Sequence, residues 1–369
     1  MKVPISGQIT GQAEAENVAQ VANSQHYGGG IWTTRFERGI ADYMGRRFAL
    51  FTNSGSSALL CAMAALELPK GSRVLTSAVN FPTTVNVIVQ CGHIPVFVDA
   101  DPKTLNIDRF HWPIKKVDAA IIAHTLGNPA HIPNVDYPVI EDCCDAIGSK
   151  IDGQMVGGKG VFSTASFYPA HHITTGEGGA VFTDNPRLHR LAEQYRTWGR
   201  DCWCEPGEDD KCGRRYDGDY DHKYTYSKIG YNLKSSDFQA AVGVAQLERL
   251  EGFGIARRYN WNYLNDGLKK FPIDIVKMPY TASPFGFAFL TDKRNELAKF
   301  LAEREIGNRP IMAGNLTRQP AYKDVRYEVI GDLTGADEIH ERGLWIGVMP
   351  AITKEMMDYV IDAFREFYK

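Results

Sequence analysis

The sequence predicts an α/β architecture, with a mostly parallel, doubly wound sheet in a large domain and a smaller α/β domain behind it. Two observations carry this expectation. From about Ala49 to Asp184, short β-branched runs alternate with helical stretches, as a parallel sheet with crossover helices demands. After a break at residues 199–230, helical periodicity returns and then loosens toward the C-terminus. The length, 369 residues, suits two domains. We place the large one at 1–250 and the smaller one at 251–369.

The strands expected in order are RVLTS (73–77), IPVFVD (94–99), DAAIIAH (118–124), YPVIED (137–142) and GGAVFTD (178–184). Between and after them, SSALLCAMAALEL (56–68), TTVNVIVQCG (83–92), RLHRLAEQYRTW (187–198) and SSDFQAAVGVAQLERLEGF (235–253) read as helices. Ligands of such a sheet gather at the carboxyl ends of its strands. Residues 199–230 are charged, rich in tyrosine and nearly free of aliphatic side chains. Core burial cannot order them, so they are disordered, packed on a partner or pinned by a ligand.

Composition excludes several classes. A net charge of −3 gives no reason to expect nucleic acid or a polybasic membrane contact. No apolar run approaches a membrane span, and the first residues lack the apolar core of a signal peptide. A cytoplasmic protein is expected, whose seven cysteines are reduced thiols or metal ligands.

Three segments carry chemistry. In TNSGSSALLCAMAAL (52–66) a small polar turn runs directly into a helix, so free N–H groups at Gly55, Ser56 and Ser57 suit a phosphate, or a serine before the helix merely caps it. In VIEDCCDAIG (139–148) a strand ends on two acids, which need a cationic partner or solvent. The third, SFYPAHHITTGEGGA (166–180), puts His171 five residues after Ser166 and before GEGG. Enzymes that use pyridoxal phosphate (PLP) carry a lysine at that place as the cofactor's tether. An imidazole cannot make that bond. Lys150 and Lys159, the nearest lysines, lie in turn-like sequence and read as solvated.

In order and spacing these segments resemble the DegT/DnrJ/EryC1/StrS sugar aminotransferase/dehydratase family of fold-type I, aspartate aminotransferase-like PLP enzymes. The resemblance implies that Asp142 pairs with the pyridine nitrogen, that Gly55, Ser56 and Ser166 hold the phosphate, and that Phe81 of NFPTT stacks on the ring. Asn232 of GYNLKSSDFQ resembles an asparagine that reaches the neighbouring subunit's phosphate, which implies a homodimer with shared active sites. Asn315 and Arg318 of GNLTRQP resemble a substrate-contacting segment, with Arg318 suited to a diphosphate.

Histidine in place of lysine leaves, by this resemblance, the branch that binds pyridoxamine phosphate (PMP) and removes a sugar C3 hydroxyl. His171 would then be the general base, its ordinary pKa near 6.5 suiting neutral pH; His172 reads as a structural neighbour. The pattern C-x57-C-x-C-x7-C from Cys144 through Cys202 and Cys204 to Cys212 resembles the [2Fe–2S] ligand spacing of the CDP-4-keto-6-deoxyglucose 3-dehydratase subgroup. Spacing alone chooses Cys144 over Cys143, while Cys61 and Cys91 read as small core hydrophobes. Cys144 follows Asp142 by two residues, so a cluster on Cys144 would lie near the cofactor. The implied reaction is C3 dehydration of an NDP-linked, in particular CDP-linked, 4-keto-6-deoxyhexose in 3-deoxy and 3,6-dideoxy sugar biosynthesis. Electrons would come from an NAD(P)H-dependent flavin/iron–sulfur reductase. A cluster-free dehydratase of the GDP-4-keto-6-deoxymannose type, recycling its cofactor with glutamate, and a non-catalytic binding homologue are the alternatives.

Overall fold

The computed structural model describes residues 1–108, 112, 117–204 and 210–369. Its first nine strands are β1 (Phe48–Thr52), β2 (Arg73–Ser77), β3 (Ile94–Val98), β4 (Ala119–Ala123), β5 (Val139–Asp142), the short hairpin of β6 (Lys150–Ile151) and β7 (Gln154–Met155), β8 (Phe162–Ser166) and β9 (Gly179–Thr183). Toward the C-terminus follow β10 (Asp274–Ile275), β11 (Gly286–Leu290), β12 (Asn308–Pro310), β13 (Glu328–Val329) and β14 (Gly343–Gly347). The large sheet runs β1-β9-β8-β5-β4-β2-β3-β13. From β8 to β13 all pairings are parallel, whereas β9 lies antiparallel to both β1 and β8. A second, antiparallel sheet has the order β10-β11-β14-β12.

The expected strands are all present, and three more, β1, β8 and β13, complete the sheet. FALFT of β1 is apolar and almost wholly buried, and it pairs with β9 rather than starting the parallel series. A strand not among the expected ones, FSTAS, precedes the histidines and ends at Ser166, and residues 167–178 form the return. The expected helix over 235–253 is two helices, Asp237–Leu247 and Leu250–Leu268, broken at Glu248 and Arg249. Val3 hydrogen-bonds to Glu305 and Gly307, which ties the N-terminus to the C-terminal part of the chain, and β13 extends the large sheet beside β3.

Adjacent residues of a strand face opposite ways, and β5 uses this to separate its two acids. Asp142 faces the carboxyl-end cavity described below. Glu141 faces away and accepts from the N–H groups of Gly157 (2.9 Å), Lys159 (2.7 Å) and Gly160 (2.6 Å). His124 Nδ1 accepts from Ala130 N–H, so its Nε2 donates to Glu141 at 3.1 Å. Burial alone would raise the pKa of Glu141, but His124 and the Gly160 and Gly157 N–H groups bring it down to about 2. Its folded-state value is therefore below its unfolded one. The stability it contributes is complete above the ordinary glutamate range and lost as pH falls toward 2, and amounts to roughly 3 kcal/mol. Glu141→Gln is expected to cost roughly 2–4 kcal/mol in urea unfolding at pH 7 and to flatten the acid limb of stability against pH.

Candidate active site

A cavity of about 700 Å³ opens at the carboxyl ends of the parallel strands. Ser54, Gly55 and Ser56 line it from the start of a helix (Gly55–Ala65), Asn80 and Phe81 from the segment after β2, and His124 and Thr125 from the end of β4. Asp142, Cys144 and Asp145 come from β5 and the turn beyond it, and Ser166, Tyr168 and His171 from the end of β8. The structure thus brings together Gly55, Ser56, Phe81, Asp142, Cys144, Ser166 and His171.

The helix start shows both roles read from its sequence. Ser54 is the N-cap and accepts from Ser57 N–H at 3.1 Å, while Gly55 and Ser56 present the first turn to the cavity. A Cβ on Gly55 would stand 2.6 Å from Ser166 Cβ and 3.1 Å from Cys144 Sγ. Only glycine lets Ser166 come this close to the helix N-terminus, where N–H groups and the helix dipole favour an anion. On the opposite side, Asp142 is 6% exposed and held by the Thr84 hydroxyl (2.8 Å) and the Cys144 N–H (3.2 Å). Phe81, 55% exposed, belongs to the wall nearby. An anion cradle, a fixed carboxylate and an aromatic wall around one cavity fit the phosphate, ring nitrogen and ring face of PLP or PMP.

His171 is 16% exposed, and its Nδ1 sits 3.5 Å from Asp145 Oδ1 without a formed hydrogen bond. Its ring packs on Phe285, with centroids 5.3 Å apart. Burial and then the Arg257 charge lower its pKa to about 4, against a small opposing effect of the Cys144 carbonyl. This departs from the ordinary value that the sequence suggests; the imidazole is neutral at pH 7 with a wide margin. Burial and the neighbouring Asp142 raise Asp145 to about 7. Beneath them, buried Arg257 donates to the carbonyls of His171, Pro284 and Phe285. His172 turns away and pairs with the Ser283 carbonyl at 2.9 Å.

Of the two neighbouring cysteines, Cys143 is sealed in the core and Cys144 reaches the cavity. Burial and Asp142 hold the Cys144 thiol well above its usual range, so it is protonated. Cys202, Cys212 and His222 form a separate group whose ligand atoms all lie within 4.8 Å of one another. Cys204 adjoins it, its Sγ accepting from Cys212 N–H at 3.4 Å. Cys144 is not a member of that group. Residues 205–209 of the same loop lie outside the described residues.

Three further sequence candidates lie away from the cavity lining in this chain. Asn232 is exposed and accepts from Lys234 Nζ at 2.6 Å. Asn315 is buried, capping the turn at Thr317 and donating to Asp337. Arg318, its side chain 60% exposed, pairs with the same Asp337 at 2.6 Å. The arginine that does line the cavity is Arg309. Sequence reasoning passes over Arg309, Thr84, Asp145, Arg257 and His222. Asp145, the third acid of EDCCD, and His222, a histidine shortly after a cysteine run, carried a visible signal; a buried arginine in an amphipathic helix carries none.

Sheet, crossover helices and carboxyl-end cavity define a fold-type I, aspartate aminotransferase-like protein. The profile of the DegT/DnrJ/EryC1/StrS aminotransferase family matches residues 8–365, and the chain belongs to that family. It is 44% identical to a lipopolysaccharide biosynthesis protein, RfbH, of Salmonella typhimurium, over 99% of this chain and 92% of the relative. It is 42% identical to a dTDP-4-dehydro-2,6-dideoxy-D-glucose 3-dehydratase of Saccharopolyspora spinosa, over 98% and 86% respectively. Among solved structures, Escherichia coli GDP-4-keto-6-deoxy-D-mannose 3-dehydratase with bound hydrated PLP superposes with a TM-score of 0.90 at 27% identity, covering 99% of both chains.

Gly55→Ala should weaken PMP and inorganic phosphate binding by at least roughly tenfold, read by fluorescence titration. Thermal unfolding of the variant, followed in parallel, should move by only a few degrees.

Proposed function

We propose that this chain is a PMP-dependent dehydratase that removes the C3 hydroxyl of a nucleotide-linked 4-keto-6-deoxyhexose. The observation that carries the reading is His171, buried and neutral at the tether position and opening into the cavity that holds Asp142. The 3-dehydratases among its relatives support it.

When bound, PMP supplies an amine that condenses with the C4 ketone and a ring that accepts the electrons of the bond-breaking steps. Asp142, fixed by Thr84, would hold the ring nitrogen. Gly55, Ser56 and Ser166 hold the phosphate end. His171 would take the proton from the cofactor's C4′ carbon, and being neutral at pH 7 leaves it free to do so. Asp145 and the Phe285 ring restrict the imidazole to that side. Arg309 reaches the sugar nucleotide's diphosphate in the role that Arg318 has by resemblance.

The reading extends to a CDP-linked sugar, a homodimer whose Asn232 serves the neighbouring site, and a separate NAD(P)H-dependent flavin/iron–sulfur reductase. An iron–sulfur centre held through Cys202, Cys204 and Cys212 would supply one-electron chemistry. Similarity to GDP-4-keto-6-deoxy-D-mannose 3-dehydratases favours a second reading, in which no reductase is needed.

Turnover of CDP-4-keto-6-deoxyglucose with and without such a reductase, with product analysis, separates the readings. Product only with the reductase supports the first; product with glutamate alone supports the second; none under either condition rejects both. His171→Asn should abolish exchange of a single C4′ hydrogen of bound PMP while leaving PMP affinity within about threefold. In the unmodified protein that exchange should persist below pH 6.5 and fail only as pH drops toward 4, since it requires neutral His171.

A further inference from the structure

Helix Leu250–Leu268 carries a cation into the core. Arg257 is 2% exposed and is among the largest fully buried side chains. Burial lowers its pKa to about 10 against the pull of Asp145, so it stays charged at neutral pH. Among the described residues no carboxylate forms an ion pair with it, and its Nε has no partner. Its acceptors are three carbonyls: Nη1 donates to Pro284 at 3.4 Å and to Phe285 at 3.3 Å, and Nη2 to His171 at 3.3 Å. A charge taken out of water and given only long, neutral bonds adds little to stability. Its planar fork does something else: it spans separate segments that a single ammonium could not join.

One of these segments is the return between β8 and β9, which carries both histidines. The other, Ser283–Phe285, is a strut leading into β11, and its backbone is fixed independently of Arg257. Ser283 N–H donates to Ser149 Oγ at 2.7 Å, and Phe285 N–H to the Leu126 carbonyl at 3.0 Å. Gly127 packs so tightly here that a Cβ would stand 2.3 Å from the Ser283 carbonyl oxygen. The Phe285 ring then serves all three groups: its centroid is 5.3 Å from that of His171 and 6.1 Å from that of His172, and the guanidinium carbon lies 5.8 Å from it. His172 bonds the strut directly, through Nε2 and the Ser283 carbonyl at 2.9 Å. The His171 carbonyl is joined to the strut through Arg257. The Nδ1 of His171 makes no hydrogen bond, so the place of its ring depends on the backbone beneath it and on Phe285 beside it.

We propose that Arg257 is the positioning residue of His171: by tying the return to the strut at Pro284 and Phe285, it fixes where the imidazole stands in the cofactor cavity. The assignment rests on His171 being the base of the proposed reaction, since Arg257 acts through it. A supporting group of this kind matters because a small misplacement of a proton acceptor costs rate without costing binding.

Arg257→Ala and Arg257→Lys are compared with the unchanged full-length protein, first without cofactor, by hydrogen–deuterium exchange read on peptides. In both variants the amides of residues 167–178 should exchange at least roughly tenfold faster, while those of β2, β4 and β5 keep their rates. Millimolar guanidinium should slow them again in Arg257→Ala, where the truncation opens a space for it, and potassium chloride at the same concentration should not. With PMP bound, C4′ hydrogen exchange should fall at least roughly tenfold in both variants, with PMP affinity within about threefold of the unchanged protein. A general loss of packing would not separate the two in this way. Unchanged amide rates at 167–178 in both variants, or loosening in Arg257→Lys that extends through β2, β4 and β5, overturns the proposal. So does C4′ exchange at the full rate in a variant whose return has loosened. Absence of C4′ exchange in the unchanged protein rejects His171 as the base, and the proposal falls with it; exchange there and no change in the variants rejects the proposal alone.

Discussion

The site depends on one close backbone approach, that of the helix start at Ser54–Gly55 to the ends of β8 and β9. A Cβ on Gly179 would fall 2.3 Å from the Ser54 carbonyl oxygen and 2.5 Å from the Gly55 nitrogen. One on Gly178 would meet Thr175 Oγ1 at 2.2 Å and the Phe51 ring at 2.9 Å. Gly179 of GEGG therefore lets β9 pass directly under the helix N-terminus, and Gly178 lets the return close on Thr175 and Phe51. That passage puts Ser166 against Gly55, and the return between β8 and β9 carries His171 over Asp145. Anion cradle and proton acceptor are consequences of the same packing.

Burial then sets the electrostatics. Three acids lie within five residues, and each is handled differently. Glu141 is satisfied by loop N–H groups and His124, Asp142 by Thr84 and Cys144, and Asp145 by neither set; burial and Asp142 push it up to about 7. The histidine above them is driven down to about 4, with the buried Arg257 guanidinium beneath. A lysine amine at residue 171 would face the same desolvation and would also be a nucleophile toward a carbonyl. Histidine keeps a proton acceptor in that wall and removes the nucleophile.

Much of the fold was legible because its parallel strands are continuous apolar runs between helical periods. β1 was missed since FALFT sits outside the alternating series and pairs antiparallel with β9, which no local pattern announces. The break after Leu247 was missed because apolar periodicity continues through it. At the site, Asp142, Ser166, His171 and the Gly55–Ser56 turn could be read because their spacing along the chain is a signature. Thr84, Arg257 and Arg309 could not, as each acts through a contact made by the fold. Arg318 shows the converse: its guanidinium is engaged by Asp337, nineteen residues away, and sequence context alone does not reveal that partner.

The loop over 199–230 has almost nothing to bury, yet its two ends are held together. Asp201 N–H donates to the Thr225 carbonyl at 2.9 Å, Arg200 bridges to Tyr226, and Gln194 Nε2 donates to Asp201 at 2.9 Å. These bonds close the neck, and among the described residues Cys202, Cys212, His222 and the Trp203 ring come together beyond it. The loop leads straight into Asn232, which bridges back to Thr197 and pairs with Lys234, whose ammonium lies 3.3 Å above the Trp198 ring. Order in the loop and the direction of Asn232 are thus coupled through a few residues of backbone.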